Sequence, residues 1–319
     1  MKNKLLQMIV KRIGQSVIVL AIVTLLVFLI MQAVPGDPVV IFLGEAATPE
    51  MVARYTEIFG FDQPVFVQYA RWIGGLFRGE MGFSVTMQRD VSEVLFQRFN
   101  TTLLLVIPAF VLSVIFGIVF GIIAALNRGR AADSIVTFLA NIGMAMPNFW
   151  MGIIGIYIFA LMLGILPVQG FVPPSQDLVE SIRRLTMPVL VMASGPLAVF
   201  TRQTRSAMLE VVRQDYVRTA EAKGLGRSAT IFKHQLRNAL IPIITVMGVQ
   251  LGIMIGTTIL IESIFVLPGL GNLMITAIRT RDFMVVQNGV LLIAVTVSVC
   301  NLIVDILYGI IDPRIRDSK

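Results

Sequence analysis

Apolar residues in this chain gather in long blocks instead of alternating with polar residues. Six blocks approach or exceed the length needed to cross a hydrocarbon core, about 20 residues at 1.5 Å of rise each. They cover residues 14–34, 101–126, 135–163, 187–199 with a continuation toward 205, 239–261, and 285–310. Because the blocks are apolar all round, they predict helices surrounded by lipid and by one another. The expected fold is an all-α integral membrane protein with six transmembrane helices.

Two of the blocks have features that depart from a simple transmembrane helix. The first could be a cleaved signal peptide, but it ends in the sequence Ala33-Val34-Pro35-Gly36, which is a poor cleavage site. We therefore expect an uncleaved span. The fourth block contains Pro188 and Pro196, and proline removes a backbone donor and bends a helix. This block is expected to be kinked or partly re-entrant.

Composition supports a membrane protein and excludes several other classes. Of the 319 residues, 56% are hydrophobic and 14% are charged, whereas soluble domains carry roughly 45–50% apolar and about 25% charged residues. The single cysteine, Cys300, cannot form a disulfide within the chain. With only one histidine, His234, a zinc site of Cys and His ligands cannot be built either.

The net charge of +7 is explained by membrane orientation. With six spans, the basic N-terminal arm, the turn at Arg128 and Arg130, the segment 202–237 and the C-terminal tail all fall on one side, which the positive-inside rule assigns to the cytoplasm. The sequence therefore predicts cytoplasmic termini and no binding of nucleic acid. The long loop 35–100 falls on the opposite side. It is too long for a simple connection, and apolar residues between Phe66 and Phe77 have helical spacing. It is either a cap over the outer mouth, which the spacing favours, or a docking surface for an extracytoplasmic partner.

Small residues recur at four-residue spacing in the second and fifth spans. Lipid gives little hydrophobic drive between helices, so close approach at glycines is a major source of helix association. Ordinary helix packing is the favoured interpretation, and a subunit contact at the fifth span is the alternative. The positions are Gly117, Gly121, Gly248, Gly252 and Gly256.

The cytoplasmic segment 206–238 carries the most information. Met208, Val212 and Tyr216 share one face of a predicted helix, which breaks near Gly224 before a second run at 228–236. Polar and apolar residues are mixed on the faces of this segment. This mixing weakens the interpretation of an amphipathic helix lying on lipid and favours a protein partner. The first helix and its break read Asp215-Tyr216-Val217-Arg218-Thr219-Ala220-Glu221-Ala222-Lys223-Gly224-Leu225-Gly226.

With this stretch the chain resembles the permease subunits of binding-protein-dependent ABC importers, in the dipeptide/oligopeptide branch that also serves nickel and glutathione. The general motif of these subunits has Glu-Ala-Ala, where this chain has Glu221-Ala222-Lys223. Further landmarks of the branch recur in order along nearly the whole chain: Pro35-Gly36-Asp37-Pro38, Arg237-Asn238-Ala239-Leu240-Ile241-Pro242, Leu267-Pro268-Gly269-Leu270-Gly271, Arg281-Asp282-Phe283-Met284-Val285-Val286-Gln287 and Asp312-Pro313-Arg314-Ile315-Arg316.

The resemblance implies the type I ABC importer permease fold and a division of labour. Residues 1–34 would form the cytoplasmic N-terminus and first span, 35–100 a helical extracytoplasmic loop domain, 101–310 the transmembrane core with the coupling segment, and 311–319 a cytoplasmic tail. The partners would be a second homologous permease, expected as a heterodimer, two ATPase subunits and an extracytoplasmic solute-binding protein. This chain would be no enzyme and hold no cofactor, since ATP and Mg would bind the ATPase subunits. The implied ATPase contacts are Asp215, Tyr216, Arg218, Thr219, Glu221, Ala222, Lys223, Gly224 and Leu225.

Other functions are weaker. The sequence contains no Gly-x-x-x-x-Gly-Lys-Ser/Thr phosphate loop and no His-Glu-x-x-His or Gly-x-Ser-x-Gly motif, which argues against ATP binding in that way and against an intramembrane enzyme. An ion-coupled secondary transporter usually places ionisable groups at mid-bilayer, but Glu262 and Asp305 lie near the ends of their blocks. The expected solute is a di- or oligopeptide, with nickel, glutathione or an oligosaccharide as alternatives.

Overall fold

The chain is described by a computed structural model that covers residues 2–36, 38–44, 47–84 and 86–311. The predicted landmark residue Asp37 and the predicted tail landmark 312–316 lie outside this part of the chain. Nearly all of the rest is helical. The elements are α1 (Lys2–Ala33), α2 (Pro38–Leu43), α3 (Pro49–Phe59), α4 (Val65–Phe77), β1 (Phe83–Ser84), β2 (Arg89–Asp90), α5 (Val91–Leu126), α6 (Ala131–Ala145), α7 (Asn148–Gly155, continued as a π-helix over Ile156–Met162), α8 (Leu178–Val211), α9 (Asp215–Ala222), α10 (Arg227–Ala229, continued as a π-helix over Thr230–Leu236), α11 (Arg237–Ile264), α12 (Leu270–Arg279) and α13 (Phe283–Ile311).

The apolar blocks become helices long enough to cross a membrane. Among the described residues, five helices meet that requirement, and there are six if the bent pair α6 and α7 is counted as one span. The prediction of an all-α membrane protein with six spans is confirmed. The helix predicted between Phe66 and Phe77 is also confirmed, as α4.

The break in the helical blocks lies in the third span and not in the fourth, so the expectation of a partly re-entrant fourth span was wrong, while a kink at its prolines stays a prediction. Helices α6 and α7 meet at 103°, because Met146 is extended (ψ 125°) in front of Pro147, which disfavours a helical preceding residue. Helix α8 passes Pro188 and Pro196 without interruption. It packs against α6, α7 and α11, and such neighbours hold a proline-containing helix together in a membrane.

The chain divides into two compact units. The first contains residues 2–11, 103–267 and 299–311, and its core is α8 packed between α6, α7 and α11. The second contains residues 12–102 and 268–298. Its core joins the first turn of α5 to α12 and the start of α13, with Leu95, Leu270 and Val285 at most 2% exposed.

A smaller apolar cluster of the second unit packs α4 against the C-terminal half of α1. The rings of Phe28 and Trp72 stack with centroids 6.1 Å apart, and the Tyr69 hydroxyl lies 3.0 Å from Oγ1 of Thr24. The helical loop 35–100 therefore packs together with α1, α12 and the start of α13 in one compact unit.

Candidate functional site

The candidate site is the elbow, which we define as α9 and the turn after it, residues 215–226. The turn has the 6→1 bond of a Schellman motif, in which the Leu225 N–H donates to the Ala220 carbonyl at 3.3 Å, and the Lys223 N–H makes the last helical bond of α9, to the Thr219 carbonyl at 3.1 Å. Gly224 between them has φ +76°, the left-handed conformation that glycine adopts without a Cβ penalty. The predicted order of helix, glycine turn and helix is confirmed.

The elbow has an inner and an outer face. Val217 and Ala220 are 1% and 5% exposed, and α9 packs on the π-helical turn 230–236. The predicted contact residues lie on the outer face or in the turn. Those whose side chains the structure describes are all exposed: Asp215, Tyr216, Arg218, Thr219, Ala222, Lys223 and Leu225.

The outer face keeps its polar groups available. Arg218 and Lys223 make no hydrogen bond or ion pair with the residues that the structure describes, and the Thr219 hydroxyl donates to the Asp215 carbonyl at 2.9 Å. The backbone of Glu221 belongs to α9, but its side chain is outside the described set. A small exposed residue, Ala222, leaves room for close approach of another surface.

One expectation about this segment was wrong. Met208, Val212 and Tyr216 do not share the face of a continuous helix, because α8 ends at Val211 and α9 begins at Asp215. Met208 is fully buried, whereas Tyr216 is 42% exposed. The break reverses what the spacing suggested: the apolar residue before it belongs to the core, and the residue after it belongs to the surface.

Tyr216 is a neutral side chain on the outer face. Partial burial raises the pKa of Tyr216 above its ordinary value, and the neighbouring Asn238 side chain lowers it again in part. The phenol therefore stays neutral throughout the physiological pH range.

An apolar cluster joins the π-helical turn on which the elbow packs to the ends of three long helices. Met208 of α8 and Ile231 of the π-helical turn are in it, at 0% and 8% exposed, together with Ala125 and Ala239. The turn beneath the elbow is therefore packed against α5, α8 and α11.

A buried ion pair near the same end of the first unit was not predicted. Arg205 donates from Nε to Asp133 Oδ1 at 2.6 Å and from the terminal nitrogen to Oδ2 at 2.8 Å. Asp133 also accepts from the Gly129 N–H at 3.0 Å, and its side chain is 7% exposed. The pair joins α6 to α8. Two residues 72 positions apart carry no sequence signal of contact, and the sequence interpretation treated both as charges of loops.

The predicted packing glycines have different surroundings. A Cβ on Gly117 would lie 2.5 Å from Cβ of Phe200, and one on Gly121 would lie 2.4 Å from Cβ of Thr204, so both let α5 approach α8. A Cβ on Gly248 would lie 3.2 Å from Val304. Gly252 is half-buried. Gly256 is exposed, and a Cβ added there would have no atom of the described chain within 4 Å.

In the second unit, the carboxylate of Asp282 accepts hydrogen bonds from Ser84 and Thr86 and from α13. Asp282 accepts from the Ser84 hydroxyl at 2.6 Å, from the Thr86 N–H at 3.3 Å and from the Val285 N–H at 3.3 Å. Asn288 accepts from Trp72 Nε1 at 3.3 Å and donates to the Met81 carbonyl at 2.9 Å. Asn288 therefore bonds α13 to α4. We call these groups the Asp282 cluster.

Comparison with known proteins decides the family. Residues 117–317 match the family described as "Binding-protein-dependent transport system inner membrane component", and residues 5–106 match the N-terminal component of the same systems. The chain belongs to this family. It is therefore a multi-pass membrane permease component of a transporter.

Individual relatives of this family cover the full length of the chain. A Pseudomonas aeruginosa protein named di/tripeptide transport system permease DppB is 40% identical over 99% of this chain and 100% of its own length. The Escherichia coli K12 dipeptide transport system permease DppB is 38% identical over 99% of this chain and 100% of its own. A putative Brucella abortus peptide transport permease is 39% identical over 97% of this chain and 98% of its own.

Solved structures support the fold. A chain of the inward-facing MetNI methionine ABC transporter aligns with a TM-score of 0.57 at 15% identity, over 69% of this chain and 97% of that one. A chain of an amino acid ABC transporter aligns with a TM-score of 0.50 at 15% identity, over 70% and 94%. The family's permease fold is thus the fold of this chain.

Proposed function

We propose that this permease imports short peptides as one of two membrane subunits of an ATP-driven transporter, and that the elbow is its contact with an ATPase subunit. The observation that carries the proposal is an outward face of charged and small residues on a helix whose inner face is buried. Relatives of nearly full-length coverage that are named di/tripeptide and dipeptide permeases support the peptide as the solute.

The proposed assembly assigns the remaining roles to partners. A second, homologous permease would complete the pathway as a heterodimer, two ATPase subunits would bind and hydrolyse ATP with Mg, and an extracytoplasmic binding protein would deliver the peptide. The chain itself would hold no cofactor and catalyse no reaction. It would lie in the plasma membrane of a bacterium or archaeon with both termini in the cytoplasm, on the side of the basic segments.

The mechanism follows from how the elbow is held. When the ATPase pair closes on ATP, a surface groove moves with it and carries the outer face of α9. Val217 and Ala220 transfer the displacement to the π-helical turn, and the cluster around Met208 transfers it to the spans. Arg218 and Lys223 would pair with acidic side chains of the groove, and Tyr216 and Leu225 would fill it.

Cross-linking tests the contact directly. The chain has one cysteine, so Cys300→Ser gives a background for a cysteine at the exposed Ala222. Ala222→Cys in the assembled transporter should cross-link to the ATPase subunit. Phe77→Cys, at a position 89% exposed on α4 of the other unit, is the matched control and should not. An Ala222→Cys protein that reacts only with probes added outside the cell would refute the proposal.

Uptake tests the solute. Proteoliposomes of the complete transporter should accumulate a labelled dipeptide when ATP and the binding protein are present. Accumulation of nickel, glutathione or an oligosaccharide in place of the dipeptide would correct the substrate and leave the permease role intact. Uptake by this chain alone, driven by an ion gradient without ATP, would contradict the importer itself.

A further inference from the structure

A cavity of about 450 Å³ lies in the first unit, beside the elbow. It is formed where α5 and α8 end and where α10 begins. Three arginines, Arg128, Arg213 and Arg227, are among its lining residues, and no acidic residue lines it. We call it the arginine cavity. Three positive charges around one space without a counter-charge favour an anion.

The three guanidinium groups have no acceptor within the part of the chain that the structure describes. None of them makes a hydrogen bond or an ion pair with the residues that the structure describes. Other arginines of the same unit are satisfied, since Arg205 pairs with Asp133 and Arg184 with Glu180 at 2.7 Å. Guanidinium groups bind phosphate oxygens through two parallel hydrogen bonds, so a phosphate group fits this donor set.

Gln235 adds a second, independent requirement. It lines the cavity and is only 4% exposed, and its amide oxygen has no hydrogen-bond partner in the described chain. A buried acceptor without a partner is costly and rare in native structures. An amide oxygen needs a donor, which an ionised phosphodiester group by itself does not supply. A hydroxyl group attached near the phosphate does.

The rest of the lining indicates where such a ligand comes from. Leu126, Leu209 and Ile231 supply apolar walls, and Leu126 is the last residue of a candidate span. The ends of spans lie at the depth of lipid headgroups, where basic residues attract anionic lipids. We propose that the arginine cavity binds a phosphate ester that carries free hydroxyls, namely the headgroup of an anionic phospholipid of the phosphatidylglycerol class.

The proposal rests on the proposed function only in placing this end of the bundle at the cytoplasmic leaflet. Lipid binding is measured without transport. A transporter that fails to import peptide but retains the lipid would refute the proposed function alone, and one that imports peptide without retaining the lipid would refute this inference alone.

The test uses the full-length chain purified with its partner subunits, and native mass spectrometry of bound phosphatidylglycerol. The triple variant Arg128→Gln, Arg213→Gln and Arg227→Gln should bind the lipid about tenfold more weakly. The control removes the same charge from exposed residues that do not line the cavity, Arg130→Gln, Arg202→Gln and Arg237→Gln, and should bind like the unmodified protein. Equal losses in both variants would show diffuse attraction and overturn the site.

The source of the phosphate ester is distinguished in neutral-lipid nanodiscs. Glycerol 3-phosphate that binds there with the same dependence on the three arginines, while phosphatidylglycerol does not, would overturn the lipid assignment in favour of a soluble ester. Loss of ATPase subunits from the triple variant with unchanged lipid binding would instead assign the arginines to a protein contact and overturn the proposal.

Gln235 provides a separate check of the hydroxyl. The unmodified protein should prefer phosphatidylglycerol over phosphatidylmethanol, which has the same charge but no headgroup hydroxyl. Gln235→Leu should abolish that preference while the arginines still retain both lipids. An unmodified protein with equal affinity for the two lipids would refute the role of Gln235.

Discussion

Two polar turns of this chain each precede an apolar span. The polar side chains of one turn are buried and hydrogen-bonded, whereas those of the other are exposed. The turn before α13 is directed inward: Asp282 is 5% exposed and accepts three hydrogen bonds. The elbow before α10 and α11 is directed outward, with Arg218 and Lys223 exposed and unpaired in the described chain. Where the chain satisfies its own polar groups, a substitution should cost stability. Where it leaves them to a partner, a substitution should cost coupling.

The largest loss of stability is expected at Asp282. Asp282→Ala removes the shared acceptor of Ser84, Thr86 and Val285 and should lower the free energy of unfolding by about 3 kcal/mol. Thermal unfolding in detergent measures this. Asp62 is the matched control, since its carboxylate is exposed and, among the residues that the structure describes, accepts only from its neighbour Gln63. Asp62→Ala should change stability by less than about 0.5 kcal/mol, and equal losses in the two variants would abolish the contrast.

A smaller loss is expected at Asn288, which belongs to the same cluster. Asn288→Leu keeps the number and branching of the side-chain heavy atoms but leaves the Trp72 N–H and the Met81 carbonyl without their partner, which should cost about 2 kcal/mol. Trp72→Phe removes the same Nε1 bond from the other side. If the two groups act through that bond, the double variant should lose less than the sum of the single losses, whereas full additivity would contradict the coupling.

At the elbow, the left-handed backbone conformation of Gly224 favours glycine over other residues. Gly224→Ala meets no neighbouring atom, so its cost is the strain of φ +76° alone, about 1 kcal/mol. Gly226→Ala is the control, because Gly226 has φ −60° and equally open surroundings. Hydrogen exchange of α9 should accelerate in the first variant and not in the second. Acceleration in both would mean that the turn is not the cause.

The smallest effect on stability and the clearest effect on coupling are expected at the outer face. Arg218→Gln and Lys223→Gln should each alter the free energy of unfolding by less than about 0.5 kcal/mol. Each should reduce ATP-driven peptide uptake by about fivefold, the loss of one favourable charge contact. Unchanged uptake in both variants, measured with the binding protein present, would remove the elbow's outer face from the coupling route.

The sequence supports prediction of what is local and periodic. Long apolar blocks predicted the spans, and the glycine break at 224 predicted the turn of the elbow, because both depend on neighbouring residues. Contacts between distant residues could not be predicted: the pairing of Asp133 with Arg205 and the joining of Ser84 to Asp282 depend on how helices pack. The effects of the prolines could not be predicted for the same reason. Met146-Pro147 interrupts a span with few buried residues, whereas Pro188 and Pro196 lie in a helix with many buried residues.

The unbroken helix Arg227–Ile264 has a mechanical consequence. Its 38 residues extend far beyond the roughly 30 Å of a hydrocarbon core, and the part before residue 239 alone adds roughly 18 Å at 1.5 Å per residue. This part continues the span without a break. A tilt of roughly 10° in the helix corresponds to a displacement of roughly 3 Å at its first residue, so in the proposed transporter a small movement beside the elbow and a small rotation of the span are geometrically equivalent.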